Sequence, residues 1–147
     1  MKTIKTEIDI EAPAETVWAV LSDTDAFPKW NPFITRLEGD LRVGAHLATT
    51  IQPPGGRAMT FRPKVKSFVP GRELSWLGHF LVPGLFDGRH RFTIESIGAG
   101  RVRFHQEEDF AGILVPFMGS ALRRTRNGFE AMNQALKERA ESASRDG

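Results

Sequence analysis

Apolar and polar positions recur with two different periods along this 147-residue chain. Between 113 and about 141, Leu114, Met118, Leu122, Thr125, Phe129, Met132 and Leu136 follow one another in steps of four and three, which lays one apolar stripe along a helix. Arg123, Arg126, Asn127, Glu130, Lys137 and Glu141 fall on its other faces, and Lys137 and Glu141 are spaced as a solvent-side pair. At about 1.5 Å per residue such a helix is about 40 Å long. The only other helical pattern, Val17, Trp18, Val20 and Leu21 behind Pro13 and Glu15, is too short to cover it. The stripe therefore predicts a sheet as its partner.

The second period is two. Ile4, Thr6, Ile8 and Ile10 alternate with Lys5, Glu7 and Asp9, as in a strand with one dry face. After the short helix comes a turn punctuated by Pro28 and Pro32 and carrying Phe27, Trp30 and Phe33. The segment 33–110 then reads strand, turn, strand throughout, with turns at Val43-Gly44, Pro53-Pro54-Gly55-Gly56, Pro70-Gly71, Pro83-Gly84 and Gly98-Ala99-Gly100. Met59, Phe61, Val65 and Val69 share one parity. Leu74, Trp76 and Phe80 alternate with Ser75, Leu77 and His79, so both faces of that strand are partly apolar and its facing stays open. His90, Phe92 and Ile94 stand opposite Arg89, Arg91, Thr93 and Glu95; Val102, Phe104, Gln106, Glu108 and Phe110 stand opposite Arg103, His105, Glu107 and Asp109. Parity thus directs His90, Gln106 and Glu108 inward. The expected class is α+β.

The length fits one domain. Cysteine is absent, which removes disulfides, thiolate metal sites and a cysteine nucleophile and is compatible with a reducing cytoplasm, the expected location. MKTIKTEIDIE alternates charge with apolar residues and does not read as a signal peptide, and no apolar run is long enough for a transmembrane segment. The formal charge is only +2, and the basic spots at Arg89 and Arg91, Arg101 and Arg103, and Arg123, Arg124 and Arg126 lack interleaved aromatics, so no nucleic-acid partner is expected. No HExxH pattern, Gly-rich phosphate loop or G-x-S-x-G context occurs, so neither a metal nor a cofactor is expected. There is no tyrosine to serve as a phenolic acid.

The opening strand followed by APAETVWAVLSDTDAFPKWNPF, then PKVKSFVPGRELSW, HRFTIE, FAGILVPF and GFEAMNQALKERAE, resembles the START-like superfamily known as SRPBCC, in its polyketide cyclase/dehydrase-like and lipid-transport branch. The resemblance spans residues 3–141. It implies a helix-grip fold: a curved antiparallel sheet of six to seven strands wrapped around the long C-terminal helix, with two short helices after the first strand. The domain would cover 1–142 and leave 143–147 as a flexible tail. It also implies a cavity between sheet and helix. Members of the superfamily include carriers, sensors and cyclases, so the chemistry has to be argued from the site.

For that cavity the candidate ligand-binding residues are Trp30, Trp76, His90, Phe92, Phe104, Gln106, Met118, Leu122, Thr125 and Phe129. A wall of aromatics and methionines suits a hydrophobic or aromatic small molecule; the alternative is that these side chains simply fill a core. His90 can hydrogen-bond a ligand carbonyl or hydroxyl and exchanges protons near neutrality, or it is a core histidine satisfied by the backbone or by Glu108. His90 and Glu108 together are candidates for proton transfer in a cyclase or dehydratase, unless Glu108 lies at a wet rim. His46, His79 and His105 receive no role. Two functions therefore remain, a binding module and an enzyme, and beside them an interaction domain with a filled cavity; a homodimer stays open.

Overall fold

The computed structural model describes residues 1–80 and 82–146. β1 (Lys2–Ile10) leads into α1 (Ala14–Ser22), a 3-10 turn at Thr24–Ala26 and α2 (Phe27–Trp30). Strands then follow one another: β2 (Ile34–Glu38), β3 (Ala48–Ile51), β4 (Met59–Phe61), β5 (Lys64–Val69), β6 (Glu73–Phe80) and β7 (Phe86–Gly98). Then come β8 (Arg101–Ala111), a 3-10 turn at Val115–Phe117 and α3 (Gly119–Asp146). Among the described residues no helix is long and apolar enough to cross a membrane.

Five strands form one antiparallel sheet in the order β1-β8-β7-β6-β5, and β2-β3-β4 form a second. The two meet where the chain before β3 runs beside β5. Leu47 N–H donates to the Pro63 carbonyl and Val65 N–H to the Ala45 carbonyl, 2.8 and 2.9 Å apart. The result is a helix grip. Among the described residues it has eight strands, more than the six to seven expected, because Pro63 cannot donate to a ladder and splits the segment 59–69 into β4 and β5. A bulge between Val65 and Ser67 then flips the parity of β5. Val69, expected on the same face as Val65, is consequently exposed while Val65 is buried.

The long helix also begins later than the stripe promises. Leu114 and Met118 are in phase with it, but Pro116 falls in a separate 3-10 turn and α3 starts only at Gly119. At its other end it continues to Asp146, so residues 143–146 of the expected tail form its last turn, and Gly147 lies outside the described residues. With 28 residues it is about 42 Å long.

Its two halves pack differently, and this asymmetry makes the site. From Gly128 onward Phe129, Met132, Leu136 and Ala140 are fully buried, against β1, β8 and α1. Gly128 permits the close approach: a Cβ there would overlap the Phe33 ring, which instead lies edge-on to Phe129 with centroids 5.4 Å apart. Ahead of Gly128 only Leu122 of the helix is buried; Ala121 and Thr125, like Met118 just before the helix, are half-buried. There the helix stands away from the sheet.

Candidate functional site

Strand register brings the polar residues together. His90 on β7 pairs with Trp76 on β6 and with Glu108 on β8, so alternation alone places all three on the inner face. The imidazole is walled by rings, with the centroids of Phe92, Phe129 and Trp76 at 4.5, 4.8 and 5.3 Å. It is 3% exposed, yet both of its nitrogens have partners: Glu108 Oε1 lies 3.2 Å from Nδ1 and Gln106 Oε1 lies 3.0 Å from Nε2.

The direction of every bond in this network follows from its far end. The Thr6 hydroxyl donates its one hydrogen to the Gln106 carbonyl (2.8 Å), so it accepts from Asn133 Nδ2 (2.9 Å). Asn133 Oδ1 then accepts from Gln106 Nε2 at 2.7 Å, and the same amide nitrogen donates to the Phe129 carbonyl at 3.3 Å. Gln106 Oε1 is thereby turned toward His90 and can only accept, so His90 Nε2 carries a hydrogen. The remaining contact, Nδ1 to Glu108 Oε1, is a hydrogen bond only when a proton lies in it. Either an imidazolium donates to the carboxylate or a carboxylic acid donates to the imidazole.

The space in front of this pair is a cavity of about 450 Å³ between the first half of α3, the middle of the large sheet and the β3-β4 hairpin. This volume falls within the range of small-molecule pockets. Phe61, Phe80, Phe86 and Phe110 form a continuous aromatic band across it, with successive centroids 5.6, 5.3 and 5.6 Å apart. Ile34, Ile51, Leu114, Met118 and Leu122 complete an apolar lining. Its charged or titratable members are His90, Glu108, Arg57 and Arg124. Of the inner polar cluster His90 and Glu108 reach the lining, and Glu108, with a side chain 15% exposed against 4%, is the more open of the two. A larger depression of about 1020 Å³ lies over the outward face of the sheet, but it is walled by Arg72, Glu73, Glu95, His105 and Glu107 and offers no apolar enclosure.

The sequence profile described as polyketide cyclase / dehydrase and lipid transport matches residues 1–141. The chain belongs to that family. Among solved structures, a START superfamily protein from Mycobacterium smegmatis shares 21% identity at a TM-score of 0.75, over 96% of this chain and 98% of that one. The Zhui aromatase/cyclase from Streptomyces sp. R1128 shares 15% at a TM-score of 0.78, over 95% and 93%. A protein from Thermus thermophilus, TTHA0849, shares 17% at 0.73, over 97% and 99%. Identities this low carry the fold alone. No curated protein matches the chain.

Within this member of the family, the residues expected at the ligand separate into three groups. Trp76, His90, Met118, Leu122 and Thr125 line the cavity, together with Glu108. Thr125 spends its hydroxyl on the Ala121 carbonyl of its own helix, 2.9 Å away. Phe92, Phe104, Phe129 and Gln106 do not reach it: each is at most 1% exposed, in the packed layer beneath. Trp30 lies elsewhere, in a groove between α1 and the second half of α3. Phe80 and Phe110 share the parity of Trp76 and Glu108, so that signal could have named them; Arg57 and Arg124 have no periodic signature.

Proposed function

We propose that this protein binds a hydrophobic or aromatic small molecule in the cavity between the sheet and the first half of α3. One observation carries the reading: an apolar space of about 450 Å³ with a single proton-sharing pair set in its wall. The aromatic band supplies flat surface for a ring or chain, and Glu108 supplies one polar contact that selects a hydroxyl or carbonyl at the matching position. Family membership is in keeping with this reading.

A second reading rests on the same pair. A carboxyl that faces the cavity on one side and a buried imidazole on the other can give a proton to a ligand oxygen and take one from an adjacent carbon, with His90 holding the proton between the steps. This is what a cyclisation or dehydration requires. The binding reading needs only the space; the catalytic one needs Glu108 as well.

Titration with N-phenyl-1-naphthylamine, whose fluorescence rises in apolar surroundings, tests the proposal. Wild type should bind one equivalent saturably. Ala121→Trp, which fills the space from the helix side, should bind at least tenfold more weakly while keeping its circular dichroism spectrum. Equal binding by the two proteins would place the probe elsewhere and sink the reading.

A further inference from the structure

Resting on the cavity reading, we infer that the ligand is an amphipathic carboxylate, its apolar body in the aromatic band and its acid group held at the mouth by Arg57 and Arg124. Both arginines line the cavity. Arg57 follows directly on the β3-β4 turn, and Arg124 rises from α3 against the same turn, where its Nε would stand 3.4 Å from a Cβ at Gly56. The two side chains thus come to one edge of the cavity from opposite walls.

Neither is neutralised. Arg36, Arg42, Arg91, Arg101 and Arg103 are ion-paired, and among the described residues neither Arg57 nor Arg124 has a carboxylate within 4.0 Å. Arg124 instead donates to Ser120 Oγ at 2.9 Å, an uncharged acceptor that orients it and leaves donors free. The cavity's one carboxyl, Glu108, lies instead 3.2 Å from His90 Nδ1 and within 4.0 Å of neither arginine. The lining therefore carries two guanidiniums without a carboxylate partner at the edge of a largely apolar enclosure. A neutral hydrocarbon would leave them unused; a cation would be repelled. A carboxylate can take paired, charge-assisted hydrogen bonds from a guanidinium while its chain stays in the apolar space.

The test uses a matched pair, 4-(2-naphthyl)butanoate and 4-(2-naphthyl)butanamide, competing with N-phenyl-1-naphthylamine for the intact protein. The acid should bind about tenfold more tightly than the amide in wild type, and 0.5 M salt should shrink that ratio. Arg57→Gln with Arg124→Gln should bring the ratio to about one, chiefly by weakening the acid, with the circular dichroism spectrum of wild type retained. A ratio near one in wild type, or a ratio that survives both substitutions, overturns the carboxylate assignment while the cavity reading stands. Failure of the naphthylamine itself to bind overturns both.

Discussion

Glu108 occupies the room that Gly88 leaves. The two residues are diagonal neighbours on β7 and β8, and a Cβ at position 88 would overlap Glu108 Oε2 and lie 3.2 Å from Cδ. A side chain there would push the carboxyl out of line with His90. Gly88→Ala should fold, since the strand accepts alanine, but overpacking should cost about 1–3 kcal/mol. His90 should at the same time lose its Nδ1 partner. Urea denaturation measures the first effect, and the long-range imidazole ¹⁵N–¹H spectrum the second. An unshifted Nδ1 resonance in the variant would show that the carboxyl position does not depend on Gly88.

Depth in the fold predicts the cost of losing an aromatic ring. Phe129 is fully buried under the large sheet, whereas Phe61 is half-buried and faces the cavity. Phe129→Ala should cost about 3–5 kcal/mol. Phe61→Ala should cost less than half of that, because one side of the ring has no packed neighbour to lose. Equal costs in urea denaturation would mean that the cavity is closed and filled.

Acid should release the tie between β1 and α3. Glu141 accepts from Lys137 Nζ at 2.6 Å and from the Glu11 backbone N–H at 2.9 Å, and these bonds, the lysine's first, hold its carboxyl below the ordinary glutamate range. A lowered folded value contributes stability above the unfolded glutamate pKa of about 4.3 and loses it as the pH falls through the folded value. Glu141→Gln should therefore be less stable than wild type at pH 7, and the gap should close on acidification below about pH 4. A gap that is the same at pH 7 and pH 3 would remove this ion pair from the causes of acid sensitivity.

Much of this was legible in the sequence because alternation is a geometric rule. Parity alone set His90, Gln106 and Glu108 on one face, and register then joined them. Depth was not legible: Phe92 and Trp76 share a face and a period, yet one is packed beneath the cavity and the other lines it. The separation arises from where α3 leaves the sheet, which depends on Pro116 and on the late start at Gly119 and not on the apolar stripe, which runs unbroken through Leu114 and Met118. Val69 turns outward for a similar reason, since a one-residue bulge has no sequence period. Arg57 and Arg124 read as ordinary solvated charges until the hairpin and the helix bring them to one edge.

Whether the cavity accepts a ligand is decided by native mass spectrometry of the protein as purified from a heterologous host, before and after incubation with 4-(2-naphthyl)butanoate. A single 1:1 adduct is expected, carried over from the host or acquired on incubation, and it should disappear in Ala121→Trp. An apo mass that stays unchanged after incubation, or an adduct that persists in Ala121→Trp, would contradict a ligand-binding cavity at this site.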